Sequence, residues 1–588
     1  MVSKTYFICE HHAVFFAILW SFWGLGQFSL NRLLKLTVGD PILNIAFALV
    51  IGQGIFIVAL QCLAVSGLLL YSWLVTLLLG AGMLGILEWR RGERSFLFWS
   101  IEAWQKSTKS ERYGFLLVMI FAIPSILAPL SPPLPGDELL YHLPHAQQWA
   151  QSGHLGINEW LRYPWFPYNY NLLFAGAYVI YDDVFTHMFN TLAGLLVAIT
   201  TYRLGAKYFN VTIGVVSTII WIQILRGDFG KANVDMGVTL YILSASVAFY
   251  WWINSQKDRR WLAISAFLTG VAIGSKYQGL LFLPFFGLAL VWFDRRVSSW
   301  LMAASALLIP SLYWYLRNAI LTGDPFDPMG GNIFGFSDWD HRDYVNQFTD
   351  LKRHSGFPNW LLWPAVLSIF SSSSRKSPVH IAIISLCTYT VLVWMVTSHL
   401  PRYLMPVFPF LALLAAEQWC LLFKRTFFFL GGRTTSESIY SIMNIAWVII
   451  FMAFIISSGA AGKRYWSRIA TNDEERREIL KSAIPGYSVL EYANVNKMGR
   501  IYIVGGLTDA IYYAPHPIWG DAFGPWRHLD IVSNEPSKFA GELSKRNFDA
   551  VIADGSLCLE LERDPSFQKY FSIAFQDGGA RLYRLEKR

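Results

Sequence analysis

The stretch Pro135-Gly136-Asp137-Glu138-Leu139-Leu140-Tyr141-His142-Leu143-Pro144-His145 holds two carboxylates, a phenol and two imidazoles. Pro and Gly break a helix at its start, so Asp137 and Glu138 open a new one. Acids in a first helical turn are favoured by the dipole, and capping alone would place them there. Asp137 and Tyr141, however, lie four apart and share a helix face. His142 and His145 add two titratable groups beside them. Four further stretches carry isolated ionisable residues: Asn233-Val234-Asp235, Ser275-Lys276-Tyr277-Gln278, Leu316-Arg317-Asn318 and His399-Leu400-Pro401-Arg402-Tyr403. Three of them have a plain structural reading: Asp235 caps a helix, and Arg317 and Arg402 reach for lipid headgroups. Together with the first stretch they set two carboxylates, Asp137 and Asp235, against three cations, Lys276, Arg317 and Arg402. Cations are what a phosphate needs, and arginine grips it through parallel hydrogen bonds. A carboxylate beside a sugar is a general base for an acceptor hydroxyl. A lipid-linked phosphosugar fits this combination.

The elements that must position these residues are membrane spans. The chain has 588 residues, 54% hydrophobic and only 15% charged, with 25 Trp, 28 Tyr and 43 Phe. Its charges gather in short clusters between long apolar runs. A span needs about 20 apolar residues, which gives roughly 12 to 14 spanning or near-spanning helices. Residues 13–30 read as a retained first span rather than a cleaved signal peptide. Arg32 with Lys35, Arg90–Arg94 through Arg112, Arg203 with Lys207, Lys257–Arg260, Arg295 with Arg296, Arg375 with Lys376, and Lys424 with Arg425 all fall on one side of the alternating spans. By the positive-inside rule that side is cytoplasmic. The opposite side holds the loops 131–170, 226–235, 275–278, 317–359 and 399–401. Lys276 runs against the charge rule there and requires an anionic partner. The net charge of +8 lies in these loops and not on one face, which excludes nucleic acid as a partner.

After the last span, at about 440–458, charges become frequent. Residues 500–506, 548–554 and 581–586 read as strands, and 474–483 and 537–546 as helices. The expected organisation is N-terminal transmembrane helices over 1–112, a transmembrane catalytic core over 113–462, and an extracytoplasmic soluble α/β domain over 463–588. Gly505-Gly506 reads as a structural turn, since the spacing of a phosphate loop is absent. Cys9, Cys62, Cys387, Cys420 and Cys558 show no pairing or zinc spacing.

At these residues the sequence resembles the GT-C superfamily of polyprenyl-phosphate-sugar-dependent glycosyltransferases. The similar branch contains protein O-mannosyltransferases and bacterial aminoarabinose transferases. The likeness covers about 113–458. Asp137-Glu138 with Tyr141 is similar to that branch's acidic motif, and Asp235 to its second acidic position. Lys276-Tyr277, Arg317-Asn318 before Gly323-Asp324-Pro325, and Arg402-Tyr403-Leu404-Met405-Pro406 resemble its later motifs. The resemblance implies an inverting transferase with Asp137 as base and Glu138 supporting it. It implies that Lys276, Arg317 and Arg402 hold the donor phosphate. It also implies that Tyr141, Asp235, Tyr277 and Tyr403 face the substrates, and His142 reads by its own place beside the acids as a substrate-orienting hydrogen-bonding group. Three extra spans before the core, and His142, Pro144 and His145 after the acid pair, depart from the pattern.

No cofactor is required by this reading. A divalent metal stays open, because Asp137, Glu138, His142 and His145 are ligand types. The expected partners are a polyprenyl-phosphate sugar, a glycan, lipid or protein acceptor, and membrane lipid. The expected location is the cell envelope, in a bacterial inner membrane. A transporter or flippase of lipid-linked glycan would use the same cations without a base, but the internal repeats common in transporters are not seen. A scaffold whose soluble tail binds a partner is the third class.

Overall fold

The computed structural model describes residues 3–93, 108–371, 377–397, 399–431, 437–515, 523–524, 527–555 and 559–586, with the backbone alone over 424–431 and 437–451. Arg94, Lys106, Arg375, Lys376, Cys558 and the side chains of Lys424 and Arg425 lie outside the described residues. Among the described residues, nine helices are long and apolar enough to cross a bilayer, and three apolar helices are shorter. The protein is a multi-pass helical membrane protein with a small sheet domain at its C-terminal end.

Of the first three spans, α1 (Lys4–Phe28) packs against both α2 (Pro41–Val65) and α3 (Tyr71–Glu88). Small residues set that packing. A Cβ on Gly26 would lie 1.7 Å from the carbonyl oxygen of Ala48, so α1 and α2 touch backbone to backbone. Two pairs of helices follow, first α4 (Lys109–Leu127) and α5 (Leu143–Ser152), then α6 (Asn169–Ile180) and α7 (Val184–Tyr208). Next come α8 (Val211–Ile224), α9 (Asp235–Asn254), α10 (Arg259–Ile273), α11 (Leu283–Phe293) and α12 (Val297–Leu321). Beyond the helix α13 (His341–Arg353) lie the helices α14 (Pro378–Val396), α15 (Phe408–Gly431) and α16 (Glu437–Ser467). Helix α2 packs on α6 and α7, so the three leading spans are part of one bundle with the rest.

Direct contacts tie several basic clusters to one end of this bundle. Arg203 pairs with Asp40 at the start of α2, and Arg260 donates to the carbonyls of Leu34 and Lys35 at 2.8 and 2.9 Å. Lys257 donates to the carbonyl of Phe293. The other end carries the acidic stretch and the C-terminal domain. His11 bonds Asp182 at 2.9 Å there, and Lys4 donates to the carbonyl of Trp466.

The tail folds as α17 (Asp473–Ala483), α18 (Tyr487–Val495), β1 (Ile501–Val504), β2 (Ala550–Asp554), β3 (Phe571–Asp577) and β4 (Ala580–Leu585), with α19 (Pro536–Lys545) before β2. The sheet order is β1-β2-β4-β3, with β1 and β2 parallel and the other pairs antiparallel. The three strands and two helices expected from sequence are present, and α18 and β3 are additional.

Candidate active site

Residues 138–142 form one π-helical turn that leads directly into α5. The wider turn rotates neighbouring side chains apart, so Asp137 and Glu138 face different surroundings. π-turns of this kind are frequent at functional sites. The Glu138 carboxylate points inward and is fully occupied. Its Oε2 accepts from the backbone N–H of Ala232 at 2.6 Å and from His187 Nε2 at 2.9 Å, and its Oε1 accepts from the N–H of Leu134 at 2.9 Å. His187 Nδ1 donates to the carbonyl of Pro129 at 3.2 Å. Both ring nitrogens therefore face acceptors, and a proton is shared within a buried Glu138–His187 pair. This pair binds the acidic turn to α7 and to the loop that delivers Asp235.

Asp137 is half-buried and faces the opposite way. Its Oδ2 accepts from Arg402 Nη1 at 2.5 Å and from the Tyr141 hydroxyl at 3.4 Å. Burial pushes this carboxyl up, but the charges of Arg402 and Lys276, with the Arg402 hydrogen bond, outweigh it and hold the pKa down at about 2. Asp235 opens α9, and Lys276 Nζ donates to its Oδ1 at 2.8 Å. Lys276 lies just past α10, where the turn is fixed by an intimate contact. A Cβ on Gly274 would meet Asn169 Nδ2 at 2.2 Å, and the N–H of Asn169 donates to the carbonyl of Gly274 at 2.8 Å. Tyr403 lies between the two cations, 5.4 Å from Lys276 Nζ and 5.8 Å from the Arg402 guanidinium carbon. Asp137, Tyr141, His142, Asp235, Lys276, Arg402 and Tyr403 thus form one cluster drawn from four separate segments. Arg402 spends Nη1 on Asp137, while its buried Nε has no partner among the described residues. A second anion can be gripped there.

Arg317 and Tyr277 form an adjoining group rather than part of the ion cluster. Arg317 binds the side chain of Asn318 at 2.8 Å and lies over the rings of Trp314 and Trp165, at 5.0 and 5.5 Å. It makes no ion pair among the described residues. Tyr277 donates to the carbonyl of Asp327 at 2.8 Å. Phe166, Tyr163 and Tyr141 link the two groups ring to ring, with centroids at 5.1, 4.3 and 5.1 Å starting from Tyr277. The aromatic run near 160–170 therefore forms the wall between Arg317 and Asp137.

The four residues that could have gathered a metal do not converge. Glu138 is committed to His187, and His145 Nε2 donates to the carbonyl of Arg162 at 3.0 Å. Among the described residues no group of three or more His, Cys, Asp or Glu has a metal-holding arrangement.

Three residues of this end carried no sequence signal. His187 and Asn171 are polar residues within largely apolar helices, beside other uncharged polar residues such as Asn190 and Asn169. Asp338 accepts from the Trp165 indole, and burial, with Asp327 and Glu159 nearby, pushes its carboxyl up to about 7. Only its distance from any motif hid it.

The C-terminal domain closes over the site. The turn 506–513 packs on residues 138–142, and the Tyr513 hydroxyl donates to the carbonyl of Pro133 at 2.8 Å. Arg476 pairs with Asp183, and Tyr512 donates to the same carboxylate at 3.2 Å. Arg527 pairs with Asp343 at 2.9 Å, and Phe523 stacks on Trp339 at 5.3 Å.

A protein-family model described as SF2091/S2213 matches residues 475–584, within this domain. The uncharacterized protein SF2092/S2214 of Shigella flexneri is 30% identical over 143 residues, which are 22% of this chain and 77% of that protein. The Shigella flexneri protein SF2093/S2215 is 26% identical over 134 residues, 22% of this chain and 65% of that protein. Among solved structures, ArnT from Cupriavidus metallidurans bound to undecaprenyl phosphate superposes with a TM-score of 0.52 at 13% identity, over 80% of this chain and 98% of ArnT. Its apo state gives a TM-score of 0.53, over 81% of this chain and 98% of ArnT.

Proposed function

Because the chain belongs to the family of the Shigella flexneri protein SF2092/S2214 and has the GT-C fold, we propose that it is a membrane glycosyltransferase using a polyprenyl-phosphate sugar. The observation that carries this reading is the convergence of Asp137, Asp235, Lys276 and Arg402 at one end of the bundle. ArnT, of the same fold, holds undecaprenyl phosphate, and we carry that class of lipid to this chain. The lipid tail belongs in the bilayer, and its phosphate belongs against Lys276 and Arg402, with Arg317 behind the aromatic wall. The sugar then lies between the cations and Asp137. The site faces the extracytoplasmic side, opposite the basic clusters.

Asp137 accepts the proton of an acceptor hydroxyl as that oxygen attacks the anomeric carbon. The carbon–oxygen bond to the lipid phosphate breaks, and the phosphate leaves with the bonding pair. Attack from the side opposite the phosphate inverts the sugar. Lys276 and Arg402 stabilise the charge on the leaving phosphate, a role fixed in advance by the fold. The Asp137–Arg402 bond adds a control. A carboxylate held at about pKa 2 is a weak base. When Arg402 turns to the phosphate, its hold on Asp137 loosens and the carboxylate becomes more basic. Donor binding thereby switches on the base. Glu138 acts through position: it keeps Asp137 and Asp235 in register through His187 and Ala232.

The test is reconstitution of the full chain in liposomes with radiolabelled undecaprenyl-phosphate sugars and total envelope acceptors. Label should move to an acceptor, and Asp137→Asn should abolish that movement. Flipping of the lipid without transfer, unaffected by Asp137→Asn, would sink the transferase in favour of a flippase.

A further inference from the structure

His142 is buried, 3% exposed, on the same π-turn as Asp137. Asn171 holds it from one side. Asn171 Nδ2 donates to the carbonyl of His142 at 3.1 Å, which fixes which end of the amide faces the turn. The same Nδ2 lies 3.1 Å from His142 Nδ1, so Nδ1 is the acceptor of that contact. The proton of the neutral ring is therefore on Nε2. That Nε2 is buried and without a partner among the described residues. A buried donor left unsatisfied destabilises the fold, and in a functional site that cost is recovered when a ligand supplies the acceptor.

The surroundings indicate which ligand. The carboxylates Asp137 and Asp235 and the cations Lys276 and Arg402 all act on the ring, and Tyr141 stacks beside it with centroids 4.1 Å apart. The ring thus lies close to both the base and the phosphate grip, the groups that a bound donor sugar has to adjoin. A cation would be repelled by Lys276 and Arg402, and burial keeps the ring neutral, its pKa lowered to about 3. A neutral N–H in that position suits an uncharged oxygen and not a phosphate.

We propose that His142 Nε2–H donates to a hydroxyl of the donor's sugar, and that Asn171 is the positioning residue that keeps the proton on Nε2. The proposal rests on the polyprenyl-phosphate-sugar reading and makes His142 the residue by which the site tells a sugar-bearing lipid from the bare lipid phosphate.

The experiment titrates the full-length protein in detergent with undecaprenyl phosphate and with undecaprenyl phosphates bearing glucose, galactose, mannose or aminoarabinose, reading intrinsic Trp fluorescence. Wild type binds at least one sugar-bearing lipid more tightly than the bare lipid. His142→Phe loses about tenfold of that preference, the worth of one hydrogen bond, and keeps its affinity for the bare lipid. His142→Gln, whose amide N–H occupies the place of Nε2–H, retains the preference. Asn171→Asp draws the proton to Nδ1, so it loses the preference at neutral pH and regains it as acid protonates the ring. An unchanged preference in His142→Phe overturns the proposal. Equal losses for bare and sugar-bearing lipid in both His142 variants, the mark of a merely structural residue, also overturn it. Wild-type protein that binds none of these lipids overturns the donor class itself, and the hydroxyl assignment falls with it.

Discussion

At the scale of single residues, Asp137 and Glu138 are neighbours in sequence with opposite fates. Residue type marked both as acids able to do chemistry, but only the π-turn decides that one faces the cations and the other the interior. Asp137→Asn removes the base and leaves its shape, so turnover falls by about 10²–10⁴ while undecaprenyl phosphate affinity is kept or rises, because Arg402 no longer leaves a carboxylate to take the phosphate, a split that steady-state kinetics beside binding titrations will read. Glu138→Ala leaves His187 and the N–H groups of Ala232 and Leu134 without their acceptor. Thermal unfolding in detergent should show a loss of about 3 kcal/mol or more. The depressed pKa of Asp137 makes a signed prediction. Burial raises it and Arg402 is the first charge that lowers it. In wild type the base stays ionised throughout the ordinary pH range, so its protonation gives no acid limb above about pH 3. In Arg402→Gln burial is less opposed, the pKa rises, and kcat/KM falls as pH drops through that raised value. A profile for Arg402→Gln with no added acid limb would rule out the pairing.

At the scale of elements, the spans were legible because an apolar run of bilayer length is too long to hide in a soluble core and fits a membrane crossing. Lys276 stood out for a related reason, since a lysine on the side away from the basic clusters needs an anion, and Asp235 is that anion. His187 and Asn171 were not legible. Scattered polar residues in an apolar helix give no signal of which one meets a partner until the facing helix is known. Strand β3 went unread although Phe571, Ile573 and Phe575 alternate with Ser572, Ala574 and Gln576, and it carries a register shift between Ile573 and Phe575. The joining of the leading spans to the core depends on backbone contact, which small residues permit without announcing. Gly26→Leu, with a Cβ forced within 1.7 Å of the Ala48 carbonyl oxygen, should separate α1 from α2. Its expected cost is at least about 1–3 kcal/mol, seen as a lowered melting temperature in detergent.

At the scale of the whole molecule, the soluble domain is part of the site's architecture. Composition revealed the domain, but nothing in the sequence indicated which of its faces meets the membrane. That is set by contacts far apart in the chain: Arg476 with Asp183, Tyr513 with Pro133 and Arg527 with Asp343. Arg476→Ala leaves the buried Asp183 facing only the Tyr512 hydroxyl and should loosen the domain. Limited proteolysis near 463–472 should quicken in that variant, and transfer should slow because the turn 506–513 braces residues 138–142. The orientation is tested at the same scale. A cysteine at Asp340 should react with a membrane-impermeant maleimide in intact cells, and a cysteine at Lys257 should not.

The proposed chemistry depends above all on the basic residues at 276 and 402 serving one lipid phosphate. The decisive experiment is binding of undecaprenyl phosphate to the purified full chain, with Lys276→Ala, Arg402→Ala and the double variant. Each single change should lose about tenfold or more in affinity, as for a charge-assisted hydrogen bond. The double variant should lose less than the product of the two, since both contacts meet on one group. Wild-type affinity in both single variants would show that the two cations do not hold the phosphate.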